Sequence, residues 1–208
     1  CIPMPKSQGY LNPFCREEYR KYVKFYDLES ITKDIELNFE YPVIIKRNRG
    51  TWGINVFKCN NSQEAIEALG KIFKQDNNYD YIAMVQQYIE ISKEYRALFM
   101  AGVLHCVYEK DISQANFSGN LSRLHWEGSH ATIINDNLFL SEINKFCQPL
   151  VSNDLLKYVG LDVAIDVNNN FWIIEANSSP GLDYLVRDNG EEIAIAWYKK
   201  ALLLLFAN

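Results

Sequence analysis

Near its end the chain carries the run Gly160-Leu161-Asp162-Val163-Ala164-Ile165-Asp166-Val167-Asn168-Asn169-Asn170-Phe171-Trp172-Ile173-Ile174-Glu175-Ala176-Asn177. Two apolar, β-rich stretches flank an Asn-rich turn, which is the pattern of a hairpin. If the turn closes on Asn168-Asn169, Val167 pairs with Asn170 and Asp162 comes to lie opposite Glu175. Period two places Asn177 on the face of Glu175. Carboxylates directly opposite each other repel unless positive charge lies between them. Carboxylate and amide oxygens suit a hard cation, Mg²⁺ or Mn²⁺. Asp162 is the preferred ligand and Asp166 the second choice. An even turn leaves Asp166 on the face of Asp162 but near the turn, and an odd turn faces it the other way.

A second group begins at Tyr41-Pro42-Val43-Ile44-Ile45-Lys46, a short strand opened by proline and rich in β-branched residues. It runs into Arg47-Asn48-Arg49-Gly50-Thr51-Trp52-Gly53-Ile54-Asn55-Val56. Gly50 and Gly53 let the backbone bend and bring N–H groups close to an anion. Thr51 adds a hydroxyl donor, and Lys46 is a point charge suited to phosphate oxygens. The loop is neither a Walker loop nor a dinucleotide fingerprint, since the glycine spacing of both is missing. A third group is the buried strand and polar hinge Tyr81–Glu90, then Lys93-Glu94-Tyr95-Arg96 and a hairpin through Ala101-Gly102 that ends at Lys110.

Taken in order from about residue 41 to 185, these pieces resemble the ATP-grasp superfamily of ATP-dependent carboxylate–amine ligases. The matching segments are YPVIIKRNRGTWGINV, MVQQYI, KEYRALFMAGVLHCVYEK and LDVAIDVNNNFWIIEANSSPG. The last is the most specific, because E-x-N followed by S-P-G after a hairpin Asp is a hallmark of the family. The branch it resembles contains ribosomal-protein glutamate ligases, glutathione synthetase and D-alanine–D-alanine ligase.

The resemblance implies an α+β ATP-grasp fold, with two α+β subdomains clamping a nucleotide between antiparallel sheets. It implies that Lys46 contacts the nucleotide phosphates and that Gly50, Thr51, Trp52 and Gly53 form the small loop closing over them. The backbone at Gln87, Tyr88 and Ile89 would read the adenine edge, and Glu94 would accept the ribose hydroxyls. Arg96 and Lys110 correspond to cations near the transferred phosphate or acyl intermediate. Asp162, Glu175 and Asn177 correspond to ligands of one or two Mg²⁺ ions, and Asn120 to a less constant phosphate-side asparagine. ATP and Mg²⁺ (or Mn²⁺) are the implied cofactors. Small-molecule carboxylate and amine substrates, or a peptide, are the implied partners.

The expected chemistry is attack of a substrate carboxylate on the γ-phosphorus, giving an acylphosphate that an amine then opens. Such an intermediate must be kept from water. The Gly50–Gly53 loop and the segment from Ile112 to His130 are the candidate lids. The alternatives are an ATP-binding domain or fragment without turnover, and a kinase on the same fold. In two places the chain departs from the family pattern: Asn55 replaces the third loop glycine, and Gln87 stands where many relatives carry Glu. The start, Cys1-Ile2-Pro3-Met4-Pro5-Lys6, resembles the linker that follows an N-terminal domain in relatives. The expected organisation is therefore a linker and helix at 1–40 after a missing domain, a smaller nucleotide-binding subdomain at 41–87, and a metal-site subdomain at 88–208.

The remaining features bound the class. A chain of 208 residues with 48% apolar content can bury a core. A net charge of −5 argues against a nucleic-acid partner. No apolar run approaches membrane-spanning length, and the reading is a cytoplasmic enzyme with no membrane partner. Cys1, Cys15, Cys59, Cys106 and Cys147 are widely spaced and read as reduced thiols. His105 reads as structural, while His125 and His130 share a loop with Arg123. Arg47, Arg49 and Arg123 hint at anionic substrates.

The elements expected to position these groups begin with an extended linker and a helix over Glu17–Tyr26, then a short helix or turn near Ser30–Leu37. Strands ending at Lys46 and spanning Ile54–Lys58 follow, with a helix capped by Ser62 running through Phe73. Next come strands at Ile82–Gln87, Tyr95–Met100 and Val103–Lys110. A long helix capped by Ser141 reaches Tyr158 with a bend at Pro149, before the metal hairpin and a terminal helix from near Glu191.

Overall fold

The computed structural model describes residues 2–50, 52–74, 80–152 and 158–206. Thr51, Cys1 and the end of the expected Ser141–Tyr158 helix lie outside or partly outside them. The chain forms two compact units. One comprises Pro5–Ile89 together with Gly119–Ser122, and the other the residues up to Met4, Glu90–Ser118 and the chain from Arg123 on.

The first unit is a four-stranded antiparallel sheet covered by two helices. The strands are β1 (Ser7–Leu11), β2 (Val43–Arg47), β3 (Val56–Cys59) and β4 (Ile82–Gln87), in spatial order β1-β4-β2-β3. The helices are α1 (Leu28–Asn38) and α2 (Ser62–Lys74). Their inner faces carry Ile31, Ile35, Leu69 and Ile72 against Val43, Ile45 and Val85, all buried. Each such side chain contributes roughly 1.5–3 kcal/mol by leaving water. The extended N-terminal stretch is strand β1, paired with β4.

Three helix expectations need correction. Residues 17–22 form only a 3₁₀ turn, because Arg16 offers no side-chain cap and Val23 is extended. Asp27 then starts α1 by accepting from Ser30 N at 2.6 Å. Helix α2 is capped by Asn61, whose Oδ1 accepts from Glu64 N while the Glu64 carboxylate reaches back to Asn60 N, so Ser62 is already inside it. Helix α3 (Asn137–Val151) starts four residues before Ser141, capped by Asp136, and ends at Ser152; the described residues that resume at Tyr158 open a strand.

The second unit is a five-stranded antiparallel sheet in order β7-β6-β5-β8-β9. Its strands are β5 (Ile91–Met100), β6 (Val103–Asp111), β7 (His130–Ile133), β8 (Tyr158–Asp166) and β9 (Phe171–Asn177). The alternation of β5 explains how it is covered. Tyr95, Ala97 and Phe99 pack with Ile143, Cys147 and Val151 of α3. Leu98 and Met100 pack with Leu185 of α4 (Asp183–Asn189) and Trp197 of α5 (Glu192–Phe206). Glu94 and Arg96 continue this second row towards the uncovered end of the sheet. The terminal helix buries Ala194 and Trp197 but leaves Leu202, Leu203 and Phe206 exposed. No described helix is long and apolar enough to cross a membrane.

Candidate functional site

The β8–β9 hairpin places Asp162 directly opposite Glu175 and Gly160 opposite Asn177. It reaches that register by two departures that cancel. The turn holds three residues, 167–169, with Asp166 N donating to Asn170 O and Asn169 in the left-handed region at φ 64. A bulge between Asp162 and Val163 then absorbs Ile174 and shifts the pairing back by one. A side chain at Gly160 would meet Pro180 Cβ at 2.7 Å, so the S-P-G turn after β9 can lie against β8 only at a glycine.

Strand β5 lies on the other side of β8, with Arg96 opposite Asp162. The guanidinium grips the carboxylate with Nε on Oδ1 at 2.7 Å and Nη2 on Oδ2 at 2.8 Å. Lys110, from β6, sits 3.1 Å from Asp162 Oδ2 and is also hydrogen-bonded to Glu94. Arg123 stands 3.7 Å from the other oxygen of Glu94. It donates to Ile91 O at 2.7 Å and Ser92 O at 3.1 Å, tying the loop before β7 to the start of β5. Three cations thus face two buried carboxylates, an arrangement that retains positive charge for an anion.

Burial alone would neutralise these groups, and the partners outweigh it. Burial opposes the charge on Lys110, but Asp162 and Glu94 raise its pKa above the ordinary lysine range. Burial likewise opposes Arg96, and Asp162 holds it charged. Asp162 is pushed up by burial but pulled well below the usual carboxylate range by Lys110 and Arg96.

Glu175 and Asn177 are different. Glu175 is exposed, and its carboxylate forms no hydrogen bond or ion pair among the described residues. Asn177 has a buried Nδ2 without a partner among the described residues. No group of three His, Cys, Asp or Glu side chains suited to a metal occurs among the described residues. The oxygens available to a hard cation are those of Glu175 and Asn177, with Asp162 sharing its own with Arg96 and Lys110. By donor type this set fits Mg²⁺. Asp166 is occupied by the turn. It accepts from Asn168 N, Asn170 N, Asn170 Nδ2 and Trp172 Nε1, and these bonds, led by Asn170 N and Trp172, lower its pKa to about 2.

The first unit holds the phosphate-side candidates. Lys46, on β2, pairs with Val56 and Met84, and its ammonium forms no hydrogen bond or ion pair among the described residues. Gly50 is exposed. Trp52, Gly53 and Asn55 all have positive φ, at 65, 67 and 58°. Asn120 Nδ2 donates to Trp52 O at 3.0 Å, and a Cβ at Gly53 would come within 2.2 Å of Asn120 Oδ1. The predicted Asn120 and loop glycine therefore touch, although 67 residues separate them. Gln87 N donates to Lys6 O at 2.8 Å, and among the described residues Tyr88 N and Ile89 N have no main-chain acceptor. Lys58 Nζ stands 4.0 Å above the Tyr88 ring.

Other polar residues have structural partners. Arg47 pairs with buried Asp80. His125 Nδ1 and Tyr184 OH are 2.6 Å apart, and His130 faces Asp188 at 3.6 Å. Cys15, Cys59, Cys106 and Cys147 are free thiols, and burial pushes Cys59 and Cys106 up to about 11. Sequence reasoning missed the tie between Arg123 and Glu94, for which no periodic signal exists.

Comparison with known proteins adds to this geometry. A family model described as a RimK-like ATP-grasp domain matches residues 21–200. A protein named probable alpha-L-glutamate ligase from Enterobacter sp. (strain 638) is 27% identical over 164 residues, covering 76% of this chain and 51% of its own. A second so named, from Pseudoalteromonas atlantica, is 28% identical over 159 residues, covering 74% and 48%. The chain thus spans about half the length of the curated relatives it matches. Among solved structures, D-alanine–D-alanine ligase from Bacillus anthracis, complexed with ATP, superposes with a TM-score of 0.58 at 18% identity, over 93% of this chain and 54% of that one. A RiPP-associated ATP-grasp ligase from Chryseobacterium gregarium, in complex with ADP and a leader and core peptide, gives 0.56 at 16% identity, over 89% and 50%. These likenesses show a shared fold.

Proposed function

Because the chain belongs to the RimK-like ATP-grasp domain family, we propose that it is the core of an ATP- and Mg²⁺-dependent ligase that joins a carboxylate to an amine through an acylphosphate. The observation that carries this reading is the row Arg96–Asp162–Glu175 across three adjacent strands, with Lys110 beside it. Cations and open carboxylate oxygens share one sheet face, as phosphoryl transfer from a metal-bound nucleotide requires.

Each residue then has a task. Lys46 and the loop of Gly50, Thr51, Trp52 and Gly53 hold phosphate oxygens, with Asn120 bracing that loop at Trp52. Gln87, Tyr88 and Ile89 present the hinge to the base, and Glu94 receives the ribose hydroxyls. Glu175 and Asn177, with Asp162, would hold Mg²⁺, which when bound offsets charge on the phosphate oxygens. Arg96 and Lys110 stabilise charge on the transferred phosphoryl group and the acylphosphate. They are kept protonated by Asp162 and Glu94, so they serve as fixed positive charge rather than as proton donors.

Amino acids or peptides are the proposed substrates, in keeping with relatives named glutamate ligases and neighbours solved with peptides. The test is ADP release with Mg²⁺ and ATP across pairs of carboxylates and amino acids, with hydroxylamine as a trap for acylphosphate. The proposal expects ADP and hydroxamate only when a carboxylate is present. Phosphate transfer to a hydroxyl acceptor without hydroxamate would replace the ligase reading with a kinase.

A further inference from the structure

A second concave region lies in the unit that holds the charged face, and none of Glu94, Arg96, Lys110, Asp162 or Glu175 lines it. Its volume is about 730 Å³, within the range of ligand-binding clefts. One wall is the outer edge of β6. Strand β7 pairs with β6 only from Tyr108 to Asp111, and the last rung is Ile134 N donating to Val107 O at 2.9 Å. From Val103 to Cys106 that edge has no strand partner among the described residues. Open edges are usually blunted by charge, proline or a covering element. This one instead faces into the hollow.

The opposite wall is α3. Asn137, Ser141, Asn144 and Gln148 follow one another at helical spacing and all line the cavity. The charged residues of that helix, Glu142 and Lys145, do not. Gln148 already shows what the row can do, since its Nε2 donates to Gly102 O at 3.1 Å and to Asn144 Oδ1 at 2.9 Å. His105 completes the lining. Its Nδ1 lies 3.3 Å from the Lys200 ammonium and so accepts, which puts the imidazole proton on Nε2. That Nε2 is buried and has no partner among the described residues, a donor left without an acceptor.

We propose that this groove docks a polypeptide segment in extended form, added to β6 beyond the end of β7 and read by the amide row of α3. The occupant follows from the chemistry of the walls. A strand edge offers alternating N–H and C=O groups, and Asn, Gln and Ser offer both donors and acceptors without net charge. Peptide groups match that set. A phosphate or carboxylate would require cations, and no lysine or arginine lines the cavity; the apolar Leu104, Ile133, Ile134, Leu140 and Ile193 of the lining give the side chains of a docked segment a surface to cover. The inference does not rest on the ligase reading, since it concerns a different surface.

The test is selection from a random-peptide display library on the wild-type protein. Fluorescence anisotropy of the selected peptides on wild type, Ser141→Arg and Asn144→Arg follows. Chemical denaturation is measured in parallel to show that each variant is folded. The expected result is a loss of about tenfold or more in peptide affinity in both variants, with both variants unfolding cooperatively like the wild type. Bound peptide should also slow hydrogen exchange at Val103–Cys106 in the wild type, a readout that needs no variant. Failure to select any peptide, binding that both variants leave intact, or protection confined to other segments would overturn the proposal.

Discussion

On the open face of the five-stranded sheet Glu94, Arg96, Lys110, Asp162 and Glu175 are positioned by strand register, whereas the loop after β2 is shaped by backbone conformations that few residues tolerate. Arg96, Asp162 and Glu175 form one cross-strand row, and Lys110, Glu94 and Arg123 lock it with ion pairs. In the loop, Trp52, Gly53 and Asn55 turn the chain through positive φ, and Asn120 Nδ2 donates to Trp52 O. The face is suited to fixed, preorganised charge. The loop is suited to presenting main-chain donors to an anion, because successive turn residues at positive φ aim N–H groups into a concavity.

The largest predicted effect follows from the buried charges. Lys110→Met leaves Glu94 and Asp162 short of a cation and should cost about 3–5 kcal/mol of unfolding free energy, read by chemical denaturation. A change below the precision of that measurement would mean that the network is not closed as described. Arg96→Lys keeps the charge but cannot make the two-pronged grip on Asp162. It should cost about 1–3 kcal/mol and more activity than stability.

In the loop the predicted cost is smaller and steric. Gly53→Ala puts a Cβ against Asn120 Oδ1 in a left-handed residue and should cost about 1–2 kcal/mol, with a raised KM for ATP. The double variant with Asn120→Ala should recover only part of this cost, since Ser122 Cβ would still lie 2.8 Å from the added Cβ. Full recovery would show that backbone strain at Gly53 is unimportant.

The smallest effect concerns Asp166, whose carboxyl is held down at about 2 by turn N–H groups. A depressed folded-state pKa stabilises above the ordinary aspartate range and ceases to do so as pH falls through about 2. Acid melts should therefore show wild type losing its advantage over Asp166→Asn between about pH 4 and pH 2, with the two indistinguishable below that window.

How legible these regions were follows the same division. The pair Asp162–Glu175 could be read from period two, because register is a counting rule. The count succeeded although the turn has three residues, since the bulge at Ile174 restored the parity. Asp166 could not be assigned by counting, because its role depends on how the turn N–H groups point. Ser7–Leu11 carries little strand signal and becomes β1 only by pairing with β4. Ser62 and Ser141 looked like caps, yet Asn61 and Asp136 stand where the chain enters each helix. The approach of Asn120 to Gly53 and of Arg123 to Glu94 is tertiary, and no local pattern encodes it.

The central claim is that strand register makes Glu175 the open carboxylate of a metal–nucleotide site. Calorimetric titration of wild type and Glu175→Ala with a non-hydrolysable ATP analogue, with and without Mg²⁺, tests it most directly. The account predicts Mg²⁺-dependent binding by the wild type and its loss in the variant, with unfolding free energy unchanged because Glu175 is exposed and unpaired among the described residues. Equal, Mg²⁺-dependent binding by both proteins would contradict it.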